Sequence, residues 1–281
     1  MKQITTISEM RAEAEKLRIS GKTIGFVPTM GALHEGHLHL IRASVSENDI
    51  TVCSIFVNPT QFNNAEDFRL YPRIEEQDAL MLEAANCDIL FMPSAAEMYP
   101  ATARVHFNFG ELETVMEGAH RPGHFNGVAL IVSKLFHIVQ PHRAYFGQKD
   151  LQQYAIIRQM VTDLNFNLEV VRYPIVREED GLAMSSRNRR LTAEQREIAP
   201  QLHHALVLAK NMLPNYSLLQ IKNAVADYLN DYPEIRLEYF EIVDSVSLQP
   251  INEPEGPQEV ALCLAAFLGE IRLIDNIVTV V

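Results

Sequence analysis

The chain has 281 residues, 47% hydrophobic and 21% charged, the balance of a soluble globular protein long enough to build its core without staples. At roughly 150 residues per domain, that length points to two domains. Lys plus Arg number 24 against 36 Asp plus Glu, so the net charge is −12; such a surface repels nucleic acid and anionic membrane, counts against a large polyanionic partner such as tRNA, and leaves any anionic substrate to a local positive pocket.

The opening residues 1–16 are charged and helix-like, with no apolar stretch of the kind a signal peptide carries, so the chain reads as cytoplasmic. No apolar run is long enough to span a membrane. Short β-branched runs then alternate with helical patterns. Strands are predicted at 22–28, 50–57, 88–92, 144–147 and 168–175, and helices at 36–47, 74–85, 126–139 and 151–163. The strands show little polar alternation, as expected where both faces are buried. Together they predict an α/β fold with a doubly wound, Rossmann-like, mostly parallel sheet. Ligands of such sheets bind at the carboxyl ends of the strands, here after Pro28, Val57, Gly147 and Ile175. Past Asn188 the pattern changes to two helices, 192–213 (Thr192 as N-cap) and 217–229, followed by β-rich runs at 236–243, 260–267 and 271–278. That order predicts a second, smaller α+β domain with an antiparallel sheet, dividing the chain into 1–176 and 177–281. Cys53, Cys87 and Cys263 are far apart and read as three buried free thiols.

The most informative stretch is Gly25-Phe-Val-Pro-Thr-Met-Gly-Ala-Leu-His34-Glu-Gly-His37. A strand, a glycine-bearing loop and a helix start follow one another. His34 and His37, three apart, share a face of the first turn. Unpaired N–H groups and the positive end of the helix dipole suit a phosphate, and imidazoles there can donate to its oxygens. A metal pair would favour a spacing of four with further ligands, so the reading is a nucleotide site.

His34-Glu-Gly-His37 resembles the HIGH signature of the nucleotidyltransferase superfamily, and Met184-Ser185-Ser186-Arg187 resembles a shortened form of its second, Lys-Met-Ser-Lys-Ser-like signature. The runs from Pro28 to His37, Phe56 to Phe62, Arg121 to Phe125, Gly147 to Asp150 with Gln152-Gln153, and Asp180 to Asn188 are together similar to the pantothenate synthetase family, in its order and spacing. One departure is Gln148, where the family pattern has an acidic residue.

The resemblance implies ATP-dependent condensation of (R)-pantoate with β-alanine through a pantoyl-adenylate, giving pantothenate, AMP and pyrophosphate. ATP would be held by Met30, Gly31, Ala32, Leu33, His34, Glu35, Gly36 and His37, by Gly147, Gln148, Lys149 and Asp150, by the backbone at Val176, and by Met184, Ser185, Ser186 and Arg187. His37, His34, Lys149, Ser185, Ser186 and Arg187 would stabilise charge on the phosphates. Gln61 and Gln153 would bind pantoate, with Gln61 also placing β-alanine, since an amide fixes a hydroxy acid without setting a negative charge beside its carboxylate. Arg121, His124 and Asn126 would approach the same side. Mg²⁺ would arrive with ATP, and no protein ligand is assigned to it. The second domain and the 184–187 loop would close over the adenylate, and the family implies a homodimer. The competing readings are a nucleotidylyltransferase acting on a phosphorylated coenzyme A precursor, which needs no amine pocket, and a non-catalytic ATP-binding regulator.

Overall fold

The computed structural model describes residues 1–251 and 257–281. Its first sheet contains β1 (Lys2–Ile4), β2 (Ile24–Thr29), β3 (Ile50–Ile55), β4 (Ile89–Phe91), β5 (Arg143–Gly147) and β6 (Glu169–Tyr173). They lie in the order β1-β4-β3-β2-β5-β6, with every adjacent pair parallel. Phe26, Val52, Leu90 and Ala144 are fully buried, which is why these strands show no alternation in the sequence. Helices cover both faces. On one side α1 (Ile7–Ile19), α7 (His124–Val139) and α8 (Leu151–Asp163) share a core with the strands; on the other lie α2 (Glu35–Glu47) and α4 (Glu75–Ala84).

Chain order changes direction between β2 and β5. These strands pair only at Gly25–Arg143 and Phe26–Ala144. Beyond Phe26 they separate as β2 approaches Pro28, which has no N–H to offer a neighbour. The gap at the carboxyl ends is the topological switch point of the sheet.

The second sheet is antiparallel, β7 (Ile235–Asp244), β8 (Glu259–Leu268) and β9 (Ile271–Val280) in that order, packed with α10 (Gln201–Met212) and α11 (Leu218–Asn230) around a separate core. A smaller apolar cluster joins the two units, bringing Met116 and Leu151 against Val243, Ala261 and Cys263. Beside it, Arg272 of β9 makes a double hydrogen bond to Glu117 at 2.8 and 2.6 Å.

The sequence expectations need three corrections. The helix predicted over 192–213 is two helices, α9 (Ala193–Ile198) and α10, because Pro200 lacks a backbone donor and restarts the helix. Thr192 does cap α9, in a reciprocal box with Gln195. The helix-like opening 1–16 begins with an edge strand, β1, and the helix starts only at Ile7, after Thr6 accepts from Glu9 N. Finally, α3 (Ala65–Leu70), α5 (Ala95–Met98) and α6 (Met116–His120) are too short to print a helical period on the sequence. All three cysteines are free and buried, as expected.

Candidate active site

A cavity of about 210 Å³ opens at the switch point, between the loops that follow β2, β3, β5 and β6. The loop after β2 turns sharply, with Gly31 at φ 79° and Ala32 at φ 50°. This turn aims two N–H groups at one buried carboxylate: Ala32 N and Leu33 N each donate to Asp78 of α4 at 2.8 Å. A Cβ at position 31 would lie 2.9 Å from the Asp78 carboxylate, so both the conformation and the space call for glycine.

His34 caps α2: its Nδ1 accepts from Gly36 N at 3.1 Å. An accepting Nδ1 puts the ring proton on Nε2. The His34 and His37 rings stack obliquely with centroids 4.0 Å apart. Burial, then the His37, Lys149 and Arg189 charges, push His34 down to about 2. Burial likewise takes His37 to about 4, with Asp150 opposing and Lys149 and Arg189 adding to the shift. Both rings are therefore neutral near pH 7 and act as donors rather than fixed cations. The Nδ1 atom of His37 is buried without a partner among the described residues. Gly36 is explained by His34: a Cβ there would lie 2.9 Å from the His34 ring.

After β3, Asn58 organises the turn that carries Gln61. Its Oδ1 accepts from the Tyr99 hydroxyl at 2.8 Å and the Thr60 hydroxyl at 3.0 Å. Its Nδ2 donates to Gln61 Oε1 at 3.0 Å and to Gly127 O at 3.1 Å. With its oxygen engaged, Gln61 presents its amide nitrogen to the cavity, 3.2 Å from Met30 Sδ. His124 Nδ1 and Arg121 also contact the Gln61 carbonyl. Asn126 instead accepts from Phe107 N. Of the two adjacent glutamines on α8, Gln153 lines the cavity, while Gln152 donates to Leu112 O and Val115 O.

Residues 147–150 follow β5, and Gly147, Lys149 and Asp150 line the cavity. Asp150 is its one carboxylate among the described residues and sits 3.6 Å from Lys149 Nζ. The 184–190 segment folds over from the second unit. Ser186 Oγ donates to Ala32 O at 2.9 Å, and Arg189 donates to Leu33 O at 2.9 Å. Arg187 and Arg190 share the Asp67 carboxylate of α3, at 2.7 and 3.0 Å. Ser185 Oγ accepts from Arg187 N. Val176 O accepts from Met184 N, continuing a short hairpin with the Arg177–Ala183 bridge.

Met30, His34, Gly36, His37, Gln61, Gly147, Lys149, Asp150, Gln153, Val176, Met184, Ser185, Ser186 and Arg187 thus come together around one cavity. Gly31, Ala32, Leu33, Glu35 and Gln148 do not line it. Ala32 and Leu33 are fully buried, Glu35 pairs with Arg42 on the surface, and Gln148 turns to Asn276. Sequence reasoning missed Asp78, Asp67 and Asn276. For Asp78 a signal existed: it shares a helix face with buried Leu82, an unusual place for an acid. A second cavity of about 510 Å³, between the two units, adjoins the first and shares Lys149, Asp150, Ser185 and Arg187 with it. Among the described residues no group of three or more His, Cys, Asp or Glu could hold a metal ion, and no helix is long and apolar enough to cross a membrane.

A parallel sheet split at its switch point, with an H-x-G-H helix start on one side and a Lys-Asp turn on the other, defines a nucleotide-using enzyme of the HIGH class. Comparison with known proteins narrows this. The sequence model of the pantoate-beta-alanine ligase family matches residues 2–278. Pantothenate synthetase from Bacteroides thetaiotaomicron is 52% identical over 277 residues, covering 99% of this chain and 98% of that protein. The crystal structure of pantothenate synthetase from Thermus thermophilus superposes with a TM-score of 0.91 at 44% identity, covering 99% of both chains. The pantoate-beta-alanine ligase from Francisella tularensis, solved with beta-gamma ATP and beta-alanine, superposes with a TM-score of 0.82 at 36% identity over 99% of this chain and 97% of that one. The chain belongs to the pantoate-beta-alanine ligase family.

Proposed function

We propose that this chain joins (R)-pantoate to β-alanine with consumption of ATP, through a pantoyl-adenylate. The observation that carries the reading is the content of the cavity at the switch point: two neutral imidazoles, Lys149 and Arg187 for a polyphosphate, with the amides of Gln61 and Gln153 for a hydroxy acid. The ATP and beta-alanine named for the Francisella relative support it.

In the first step a pantoate carboxylate oxygen attacks the α-phosphorus, and the bond to the β-phosphate oxygen breaks, releasing pyrophosphate. In the second, the β-alanine nitrogen attacks the activated carbonyl; the carbonyl–oxygen bond to the phosphate breaks, AMP leaves and the amine loses a proton. No protein nucleophile is needed. The chain contributes positioning and preorganised charge stabilisation. His34 would donate from Nε2, its tautomer set by the Gly36 N–H, and His37 beside it would do the same as charge builds on the leaving phosphates. The triphosphate would lie where the two cavities meet, among Lys149, Ser185 and Arg187. Arg187 must then exchange its Asp67 partner for phosphate, a change that suits its planar fork. Gln61, its oxygen occupied by Asn58, would donate to pantoate and later guide β-alanine, and Gln153 would complete the pantoate site.

Mg²⁺ would neutralise phosphate charge when it arrives with ATP. Asp150, the single carboxylate lining the cavity among the described residues, is the residue able to meet it, directly or through water.

We read the chain as two working units, 1–176 and 177–281, since Leu182 already belongs to the second core, and Ser186 and Arg189 reach back to the first. The 184–187 segment would close over the adenylate and shield it from water. Family membership supports a homodimer in the cytoplasm. Pyrophosphate and AMP release from ATP–Mg²⁺ with pantoate, with and without β-alanine, tests the reading. AMP and pantothenate should accumulate only with all three substrates. Pyrophosphate release without pantoate, or no AMP at all, would refute it.

A further inference from the structure

Lys149, the cavity's one lysine among the described residues, stands on a turn whose backbone carbonyls accept from a side chain of the other unit. Asn276 of β9 is 3% exposed. Its Nδ2 donates to Gln148 O at 2.9 Å and to Lys149 O at 3.0 Å. Its Oδ1 accepts from Gln148 Nε2 at 3.2 Å. Both ends of one amide are thus directed at two consecutive residues of the phosphate-side turn. Gln148 makes this possible: its own amide supplies the donor for Asn276 Oδ1, which a glutamate could not do while ionised.

Asn276 is held in turn. Its backbone N donates to Asp275 Oδ1 at 2.7 Å, and Asp275, 5% exposed, receives a fork of two bonds from Arg177 at 2.6 and 2.9 Å. Arg177 also donates to Gly181 O and Asn276 O. It leads into the hairpin that ends at Met184 and the segment 185–187. One continuous set of bonds therefore links the arginine that leads into the closing segment, an aspartate and an asparagine on β9, and the turn that carries Lys149.

We propose that Asn276 is a positioning residue: it seats the Lys149 turn from the second unit, so that the lysine is correctly aimed only when β9 is docked. This rests on the reading of Lys149 as a phosphate-binding group. Asn276 lines neither main cavity, only a small one of about 40 Å³ beside them that Lys149, Asp150 and Gln153 also line, and its amide bonds are to the turn. Its loss should weaken binding of the β- and γ-phosphates and leave the adenosine and α-phosphate contacts in place.

The experiment compares ATP–Mg²⁺ with AMP by titration calorimetry on the full chain, for wild type and for Lys149→Ala, Asn276→Ala, Asn276→Asp and Gln148→Ala. Asn276→Asp keeps the shape and removes the donors to the two carbonyls. Lys149→Ala should erase most of the preference for ATP over AMP. Both Asn276 variants should lower ATP affinity about tenfold with AMP affinity unchanged, since misplacement of one cation is worth roughly a factor of ten. Combined with Lys149→Ala, Asn276→Ala should add no further loss of ATP affinity, because the two changes act on one contact. If the Asn276 variants do not fold, Gln148→Ala removes one bond of the same set, and a shift of about threefold in the same direction is expected. If Lys149→Ala keeps the wild-type preference, the reading of the site fails and the inference falls with it. If Lys149→Ala loses the preference while Asn276→Ala and Asn276→Asp keep it, or the losses simply add, the positioning role is overturned and the site reading stands. Unchanged preference in Gln148→Ala, where only that variant folds, overturns it as well.

Discussion

The buried neutral histidines make the stability of this protein depend on pH in a way that can be worked out and tested. An unfolded histidine titrates near 6.5, whereas burial takes His37 and His124 down to about 4 and His34 to about 2. Because the folded values lie below the unfolded one, the unfolded chain binds these protons first. Stability is full above about pH 7 and is lost as pH falls through 6.5 toward the folded values. Each such site carries a slope of about 1.4 kcal/mol per pH unit between its two pKa values, so lowering the pH from 7 to 5 costs about 2 kcal/mol for each histidine and about 6 kcal/mol for all three. The carboxylates enter later. Glu117, whose burial opposes ionisation but whose partners Arg272, Arg121 and Tyr239 outweigh it, is held down to about 2, and its contribution is lost only below its unfolded value of 4.5. His37→Gln removes one of the three protonations. Urea unfolding of wild type and variant at about pH 7, 6 and 5 should show the wild type losing about 2 kcal/mol more than the variant across that range. Parallel loss in the two proteins would refute the reasoning, as would an NMR titration placing the His37 ring near 6.5 in the folded state.

Other changes have equally definite outcomes. Asp78→Ala leaves the Ala32 and Leu33 N–H groups without their carboxylate and should cost about 3 kcal/mol by urea unfolding, with Asp78→Asn, which keeps one acceptor, costing less. Gly36→Ala drives a Cβ against the His34 ring and should remove the helix cap, worth about 1 kcal/mol, while cutting pyrophosphate release at least about tenfold; an unchanged rate would show that the His34 position is immaterial. Gln61→Ala should raise the KM for pantoate and leave ATP affinity untouched in a binding titration, since its side-chain amide meets Asn58 and the Met30 sulfur and neither Lys149 nor Arg187.

What the sequence determines about this protein is what local pattern and spacing can carry. Strands buried on both faces print unbroken apolar runs, so the parallel sheet is legible, and with it the carboxyl-end loops where His34, Lys149 and Met184 were expected and lie. The H-x-G-H helix start is legible because all its residues sit within one turn. Pro200 was visible too, but the helical period on either side of it reads as one helix unless the missing donor is weighed. The tertiary structure alone decided which side chains complete these local pieces. Asp78 lies 46 residues from Ala32, Asp67 is 120 residues from Arg187, and Asn276 is 127 residues from Lys149. It also supplied contacts the motifs do not announce: His34 Nδ1 caps its own helix, and the Ser186 hydroxyl donates to Ala32 O. The physical reason is the same in each case. A buried polar group must find a partner wherever the packed chain supplies one, and hydrogen-bonding need leaves no periodic trace in sequence.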